Sequence, residues 1–475
     1  MDPDLELSGP AGDAGPHNGG HAVTGREADG PDVTLADIER AAQAGAGVVR
    51  ETPLIVSHTL SELAGAQVLL KAENLQGTGS FKLRGAVAKI ASLGPEATAR
   101  GVVCGSAGNH AQAVAYAARS MGVPCEVFMP DAAPIAKVEG AEALGAVVHL
   151  VGATVDESLA AARKRADEAG MAFVHPFDDP EVIAGQGGIG VELLRQVQDL
   201  ARVIVPVGGG GLISGIATAV RSARPSVQVI GVQAETIAPF PMSLQAGEPV
   251  PVRAARTIAD GIAVKRPGVL TLKLIERWVQ DVVTVTEDEI SAAMVYLMER
   301  AKLVVEGAGA VGVAALLSGK LPPWPVGAPT GATAPLPGVA RTSTDTRSPS
   351  SDGPGTSADT ESQSSDGPGT TVIVLSGGNV DAGLLADVAR HNETRMGRRL
   401  VLRLALPDRP GSLVAMLTVI AELGANVVDV QHIREGLKLH IQQTAVQLVL
   451  ETRGRSHAAA VEAALREHGY EHFSV

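Results

Sequence analysis

The sequence predicts an α/β protein: a parallel sheet covered on both faces by helices, then a separate C-terminal unit of the order βαββαβ. Three observations carry this expectation. From Thr34 onward, short apolar runs alternate with alanine-rich amphipathic stretches. The apolar runs do not alternate with polar residues, which suits strands buried on both faces. After residue 399 the order becomes strand, helix, strand, strand, helix, strand within roughly 80 residues.

Residues 1–33 are rich in Gly, Pro, Asp and His and lack periodicity, so a disordered tail is expected. His17 and His21 fall in it, and an exposed tail makes a poor metal site. Thr34 should cap a helix running through Ile38, Ala41 and Ala42. Residues 101–104 read as a strand and 111–120 as a helix. A strand at 126–130, a helix at 135–144 and a strand at 147–151 follow. A helix at 191–200 precedes strands at 203–207 and 227–233. Residues 321–370 break the pattern: Pro, Gly, Ser, Thr and Asp dominate, and Ser-Ser-Asp-Gly-Pro-Gly-Thr occurs at 350–356 and again at 364–370. Without apolar positions this stretch cannot form a core, so a solvated insertion is expected. The first domain resumes beyond it, because residues 371–375 read as a strand. In the last unit, 399–406, 427–433 and 440–451 read as strands. Asp408 to Ser412 form a turn opening a helix to about Leu423, and Ser456 is expected to cap a helix to about Glu467 before a short last strand.

Composition narrows the function. A chain of 475 residues has room for two or more domains. A net charge of −13 disfavours a nucleic-acid surface, and 2% aromatic residues disfavour base-stacking platforms. Cys104 and Cys125 alone make neither a disulfide framework nor a zinc motif, which suits a reducing cytoplasm. Met1-Asp2-Pro3-Asp4 does not open a signal peptide, and no apolar run is long enough to span a bilayer, so no membrane association is expected.

Three distant segments carry chemistry. In Ser80-Phe81-Lys82-Leu83-Arg84-Gly85-Ala86, the apolar Phe81 can help desolvate the Lys82 ammonium, and its ring can pack beside a cofactor. Gly208-Gly209-Gly210-Gly211-Leu212 lies between a strand and an apolar helix, where backbone N–H groups converge on an anion. No Lys-Ser/Thr follows, so this is not a nucleoside triphosphate loop. In Leu375-Ser376-Gly377-Gly378-Asn379, the Ser376 hydroxyl can face a ring nitrogen. Taken singly, each segment has a plainer reading: a surface lysine, a tight turn, a turn serine. Together they describe a pyridoxal phosphate site. A neutral serine leaves the ring nitrogen largely unprotonated, which moderates the electron sink and suits loss of a β-leaving group.

Two further segments invite functional readings. Gly185-Gln186-Gly187-Gly188-Ile189-Gly190 matches a dinucleotide fingerprint but lacks the flanking strand and acid, so it reads as close packing at a helix start. In Ser106-Ala107-Gly108-Asn109-His110, backbone N–H groups can hold a substrate carboxylate and Asn109 can donate to a phenolate oxygen. His110 reads equally as a general base or as a hydrogen-bonded structural histidine.

With these residues in place, the chain resembles the threonine ammonia-lyases (threonine dehydratases), pyridoxal phosphate enzymes of the tryptophan-synthase-β fold type. The resemblance covers about 34–320 and 371–395, and is supported also by Thr52-Pro53-Leu54, Glu73-Asn74-Leu75-Gln76, Phe177-Asp178-Asp179-Pro180 and Ile183-Ala184-Gly185-Gln186-Gly187. It implies a two-lobed open parallel-sheet catalytic domain over 34–320 and 371–398. Lys82 would form the Schiff base with the cofactor and then act as the base at Cα. Gly208, Gly209, Gly210, Gly211 and Leu212 would hold the phosphate, Asn109 the ring hydroxyl oxygen and Ser376 the ring nitrogen, with Phe81 beside the cofactor. Ser106, Ala107, Gly108 and His110 would line the substrate, and no metal site is expected. Threonine would give 2-oxobutanoate and ammonia, the resemblance implying an entry to isoleucine biosynthesis, and serine would give pyruvate.

Serine racemases share much of this layout. In that family a second serine follows the first in the asparagine loop and carries a proton on the opposite face; here that position is Ala107. Gln233, in Gly231-Val232-Gln233-Ala234-Glu235, stands where the racemase metal site has an acid. Both departures favour the lyase over a serine racemase; a serine racemase or serine-specific dehydratase is the second enzyme reading. The ferredoxin-like unit at 399–475 resembles an ACT domain, a module that binds amino acids and often dimerises. Asp408, Arg409, Pro410, Gly411 and Asn426 match its ligand loops, which implies either a site for a branched-chain amino-acid effector or a dimerisation module that has lost its ligand, and with either a homo-oligomer. An amino-acid sensor without turnover is the reading from another class, and the intact Lys82, glycine loop and Ser376 argue against it.

Overall fold

Thr370–Leu375 is the strand around which the larger sheet is built, although it follows the insertion in sequence. The computed structural model describes residues 33–323, 369–433 and 442–470. The expected tail apart from Val33, most of the 321–370 insertion and the expected last strand lie outside the described residues. Thr370–Leu375 is buried along its whole length and pairs in parallel with Val68–Ala72 on one side and Leu200–Pro206 on the other. The sheet runs in the order Leu54–Val56, Val68–Ala72, Thr370–Leu375, Leu200–Pro206, Gln228–Ala234, Asp281–Val285. It departs from the expected all-parallel arrangement at one edge, where Leu54–Val56 runs antiparallel to Val68–Ala72. A second sheet, Val147–Leu150, Cys125–Met129, Val102–Gly105, Ala172–Phe173, is parallel throughout and makes the smaller lobe.

Local sequence explains the helices that matter for the site. Thr34 and Asp37 form a reciprocal capping box at Leu35–Ala44, and Val33 is buried just ahead of it. Asp179 caps the helix Pro180–Gln196 through its side chain, with Pro180 at the first turn. This corrects the expected helix at 191–200: the glycines of the fingerprint lie inside the helix, not at its start. They let it pack closely. A Cβ on Gly187 would fall 2.9 Å from the Gly215 carbonyl, and one on Gly215, in the crossing helix Gly211–Ala223, would overlap the Ile183 carbonyl.

The C-terminal unit has an antiparallel sheet in the order Arg399–Pro407, Gln443–Glu451, Asn426–Ile433. The helices Ser412–Glu422 and Arg455–Glu467 bury Met416, Ile420, Val461 and Leu465 against Leu402, Leu404 and Leu448. The described elements fit the expected ferredoxin-like order. Gly454, not Ser456, is the N-cap of the last helix; at φ 133° it occupies backbone space that serine avoids.

A charged network is sealed under the larger lobe. Arg84 Nε and Nη2 bond the two Glu73 carboxylate oxygens at 2.9 and 2.8 Å, and Nη1 reaches Glu192 at 2.6 Å. Lys71, fully buried, donates to Glu192 at 2.5 Å and to the Thr52 carbonyl at 2.7 Å. The network ties the strand Val68–Ala72 and the helices Lys82–Ala91 and Pro180–Gln196 together. Burial alone would raise the Glu73 pKa, but Arg84, Thr52 and Lys71 outweigh it and the carboxyl lies below its ordinary value of 4.5. Its contribution to stability is therefore present above about pH 4.5 and is lost as pH falls through the lower folded-state value. Replacing Arg84 by Ala leaves the buried Glu73 carboxylate without its paired cation and should cost about 3–5 kcal/mol. Urea denaturation at pH 7 should show that loss, and the difference between Arg84→Ala and wild type should narrow in acid. The steric contact predicts that Gly215→Ala, despite better helix propensity, lowers stability by about 1–3 kcal/mol in the same assay.

Candidate functional site

Lys82 is the first residue of its helix, and its segment is stitched to the Ser376 segment. Ser80 pairs with Gly377 in an isolated bridge, Phe81 N–H donates to the Ser376 carbonyl at 3.0 Å, and Gly378 N–H donates to Gly79 at 2.9 Å. Lys82 Nζ donates to the Pro176 carbonyl at 2.7 Å and lies 5.2 Å from the centre of the Phe81 ring. Burial lowers the Lys82 pKa to about 8, against an opposing pull from Glu306. A helix N-terminus adds a positive partial charge there, which further favours the neutral amine.

The glycine loop adjoins the lysine through the segment that begins at Pro176. A Cβ on Gly209 would overlap the Phe177 ring, and Gly210 sits at φ 98°, in the left-handed region. Thr271 Oγ1 donates to the Gly209 carbonyl at 2.7 Å. Asp178 holds the neighbouring helix Val269–Trp278 by accepting from the N–H groups of Val269, Leu270 and Thr271 at 3.0, 3.1 and 3.1 Å. Loop and helix start thus have their carbonyls and packing fixed, while the N–H groups from Gly208 to Ile213 find no acceptor among the described residues. Such donors suit an anion.

The asparagine loop comes from the smaller lobe. Ser106 N–H donates to the Phe128 carbonyl at 2.9 Å, and its hydroxyl accepts from Gly108 N–H at 3.1 Å. Ala107 packs against the apolar core of that lobe. Asn109 starts the helix Asn109–Met121. Its Nδ2 donates to both carboxylate oxygens of Glu306, at 2.8 and 3.1 Å, and its Oδ1 accepts from Asn379 Nδ2 at 2.8 Å. His110 is buried, its Nε2 bonds the Val174 carbonyl at 2.9 Å, and burial followed by the nearby Lys82 lowers its pKa to about 3. A neutral Nε2–H donor is the form this geometry holds.

Ser376 is 2% exposed, and its carbonyl accepts from the lysine segment. Sequence reading did not single out Glu306. It caps the helix Gly307–Leu317 and is 5% exposed. The available signal was an isolated acid in the otherwise apolar, Gly- and Ala-rich run 303–317. Gln233 has both amide ends taken by backbone: Nε2 donates to Val207 at 3.2 Å and Oε1 accepts from Phe240 N–H at 3.1 Å.

The residues fit pyridoxal phosphate on their donor chemistry. A desolvated amine suits an aldehyde, open N–H groups at a helix start suit a phosphate, and a neutral hydroxyl suits a pyridine nitrogen. Ser80 Oγ, in the lysine segment, is also buried without a partner among the described residues, as a polar wall awaiting a polar ligand would be.

The expected effector residues are not brought together within one chain. Asp408, Arg409, Pro410 and Gly411 lie past the end of Arg399–Pro407, whereas Asn426 pairs with Glu451 beside the start of that strand. The parallel direction of the two strands puts them roughly 25 Å apart. Asn426 donates to the Glu451 carboxylate at 3.2 Å, and Gly411 caps Ser412–Glu422 at φ 90°.

Comparison with known proteins points to the same cofactor. Residues 46–328 match the family described as pyridoxal-phosphate dependent enzyme. The chain is 42% identical to an L-threonine ammonia-lyase of Thermotoga maritima, over 92% of this chain and 98% of that protein. Among solved structures it is similar to threonine deaminase isoform 2 of Solanum lycopersicum, at 32% identity and a TM-score of 0.62, covering 74% of this chain and 91% of that one. It is also similar to a serine racemase of Dictyostelium discoideum, at 34% identity and a TM-score of 0.60, covering 74% of this chain and 99% of that one.

The low Lys82 pKa can be measured directly. In cofactor-free protein with ¹³C-methylated lysines, the Lys82 signal should titrate at about pH 8. Exposed lysines should titrate near their ordinary value of about 10.4. A Lys82 midpoint matching the exposed lysines would show that its amine is not desolvated.

Proposed function

This chain belongs to the pyridoxal-phosphate-dependent enzymes, and on that premise we propose that it deaminates L-threonine to 2-oxobutanoate and ammonia, and L-serine to pyruvate. The observation that carries the proposal is the stitching of the Lys82 segment to the Ser376 segment, with the Lys82 amine held on the loop that packs against the glycine run.

The cofactor, when bound, supplies an aldehyde carbon for amino groups and an electron sink that acidifies the substrate Cα–H. Lys82 would anchor it covalently, and the freed amine, neutral in a large fraction near its pKa of about 8, takes the proton from Cα. The N–H groups of Gly208 to Leu212 would hold the phosphate, Phe81 would pack beside the ring, and Asn109 would face the ring oxygen. Ser376 would offer the ring nitrogen a neutral hydroxyl, which suits departure of the β-hydroxyl. Ser106, Ala107, Gly108 and His110 line the substrate, with the N–H groups at the start of Asn109–Met121 on its carboxylate. Ala107 carries no proton for the opposite face of Cα, which supports deamination over racemisation.

The same reading assigns 34–320 and 371–398 to catalysis, 321–370 to an insertion and 399–475 to an ACT regulatory domain. It places the product at the entry to isoleucine synthesis and the effector among branched-chain amino acids. The separation of Asp408–Gly411 from Asn426 is compatible with a homo-oligomer in which two such units meet. Two buried free thiols, Cys104 and Cys125, suit a reducing cytoplasm.

Purified protein loaded with cofactor should release equimolar 2-oxobutanoate and ammonia from L-threonine, and pyruvate from L-serine without D-serine. Lys82→Ala should lose the anchored-cofactor absorbance and at least about 10³-fold in rate. No 2-oxobutanoate from threonine would overturn the assignment, and D-serine would favour the racemase. Isoleucine or valine at saturation should change activity or assembly; no effect of either would retire the regulatory reading.

A further inference from the structure

The site contains an ionisable group to which the chemistry above gives no task. Glu306 is nearly fully buried where three chain segments meet. Its carboxylate accepts from Asn109 Nδ2 of the smaller lobe at 2.8 and 3.1 Å and from the backbone N–H of Asn379. Its own N–H donates to the Gly377 carbonyl at 3.1 Å. A Cβ on Gly377 would overlap Oε1, so glycine beside Ser376 is what admits the carboxylate. Asn379 Nδ2 completes the junction by donating to Asn109 Oδ1 at 2.8 Å and to the Thr78 carbonyl at 2.9 Å. The Asn109 carboxamide is therefore held at both ends, its oxygen by Asn379 and its nitrogen by Glu306.

We propose that Glu306 is a positioning residue that acts through Asn109: its ionised carboxylate fixes the orientation in which Asn109 meets the cofactor's ring oxygen, and its protonation releases that hold. The inference rests on the pyridoxal phosphate reading of the site. A carboxylate offers two acceptor oxygens to the Asn109 amide; a carboxylic acid turns one of them into a donor, and the paired contact cannot persist unchanged. The charged groups facing Glu306 are Lys82, Asp260 and Lys137. Burial raises its pKa to about 7, which Asp260 reinforces and Asn109, Lys137 and Asn379 oppose. The change of state thus falls near neutrality, with the hold present above that pH and lost below it.

The test uses the cofactor-loaded enzyme without substrate, as wild type, Glu306→Gln, Glu306→Asp and Asn109→Ala. The visible absorbance of the bound cofactor is followed across pH. Wild type should show a pH transition in that absorbance. Glu306→Gln and Asn109→Ala should lose it, and Glu306→Asp should restore a transition at a shifted midpoint. With threonine, Glu306→Gln should lower kcat by about 10-fold or more with a smaller change in KM, as for other partners that orient a ligand-holding side chain. Persistence of the transition in Glu306→Gln overturns the proposal, and persistence in Asn109→Ala overturns the route through Asn109. If Glu306→Gln fails to fold, Asn109→Ala and Glu306→Asp decide by the same criterion. Wild type with no cofactor absorbance at any pH overturns the pyridoxal phosphate reading and this inference together, whereas a normal band that does not respond to pH overturns this inference alone.

Discussion

The contact on which the arrangement depends is the fork of Arg84 between Glu73 and Glu192. It lies two residues beyond Lys82 on the same helix, so whatever fixes Arg84 fixes the direction from which the amine enters the site. Two carboxylates and two cations buried together do little for net stability compared with an apolar core of equal volume. What they supply is geometry. An apolar contact slides with small cost, whereas a bidentate guanidinium pair has one favourable orientation. The helix Lys82–Ala91 is thereby locked to Val68–Ala72 and to Pro180–Gln196, and the latter, through its glycines, lies hard against the helix that begins at the phosphate-type loop. Amine and anion-binding loop are thus coupled by a charged lock and a steric one.

The site itself follows the opposite electrostatic principle. The charges in the lock are mutually compensated. In the site, burial pushes Lys82 down to about 8 and Glu306 up to about 7, and both approach neutrality near physiological pH. Groups poised this way exchange protons at little cost. His110 and the neighbouring His175 lie outside this poised set. Burial drives both well below neutrality, to about 3 and about 4, and backbone contacts use their ring nitrogens.

Much of the fold was legible because buried parallel strands and alanine-rich helices leave uninterrupted apolar signatures. The exceptions have physical causes. Val68–Ala72 carries a buried lysine, Lys71, whose charge disguises a central strand; only partners distant in sequence make it tolerable there. Pro180–Gln196 hides its helical character behind glycines that matter only once the crossing helix is known. The site was legible where chemistry dictates residue type, as at Lys82, Gly208–Leu212 and Ser376, whose segments the structure brings into contact or close succession. Glu306 was not, because an acid before a glycine-rich helix looks like an ordinary cap until Asn109 and Gly377 are seen against it. Asp408 and Asn426 show the converse: loops that match one motif stand at opposite ends of a sheet.

The position of Thr370–Leu375 bears on how the chain assembles. Val68–Ala72 and Leu200–Pro206 flank it and do not pair with each other, so as synthesis proceeds each presents an open edge until the segment beyond the insertion emerges. Inserting that strand joins contacts distant in sequence, the slow class of folding step. Once the strand is in place, the length of the excursion between Pro323 and Gly369 matters little, since doubling such a loop costs only about 0.6 kcal/mol in closure entropy. The fold therefore constrains where the chain must return far more tightly than how long it spends away.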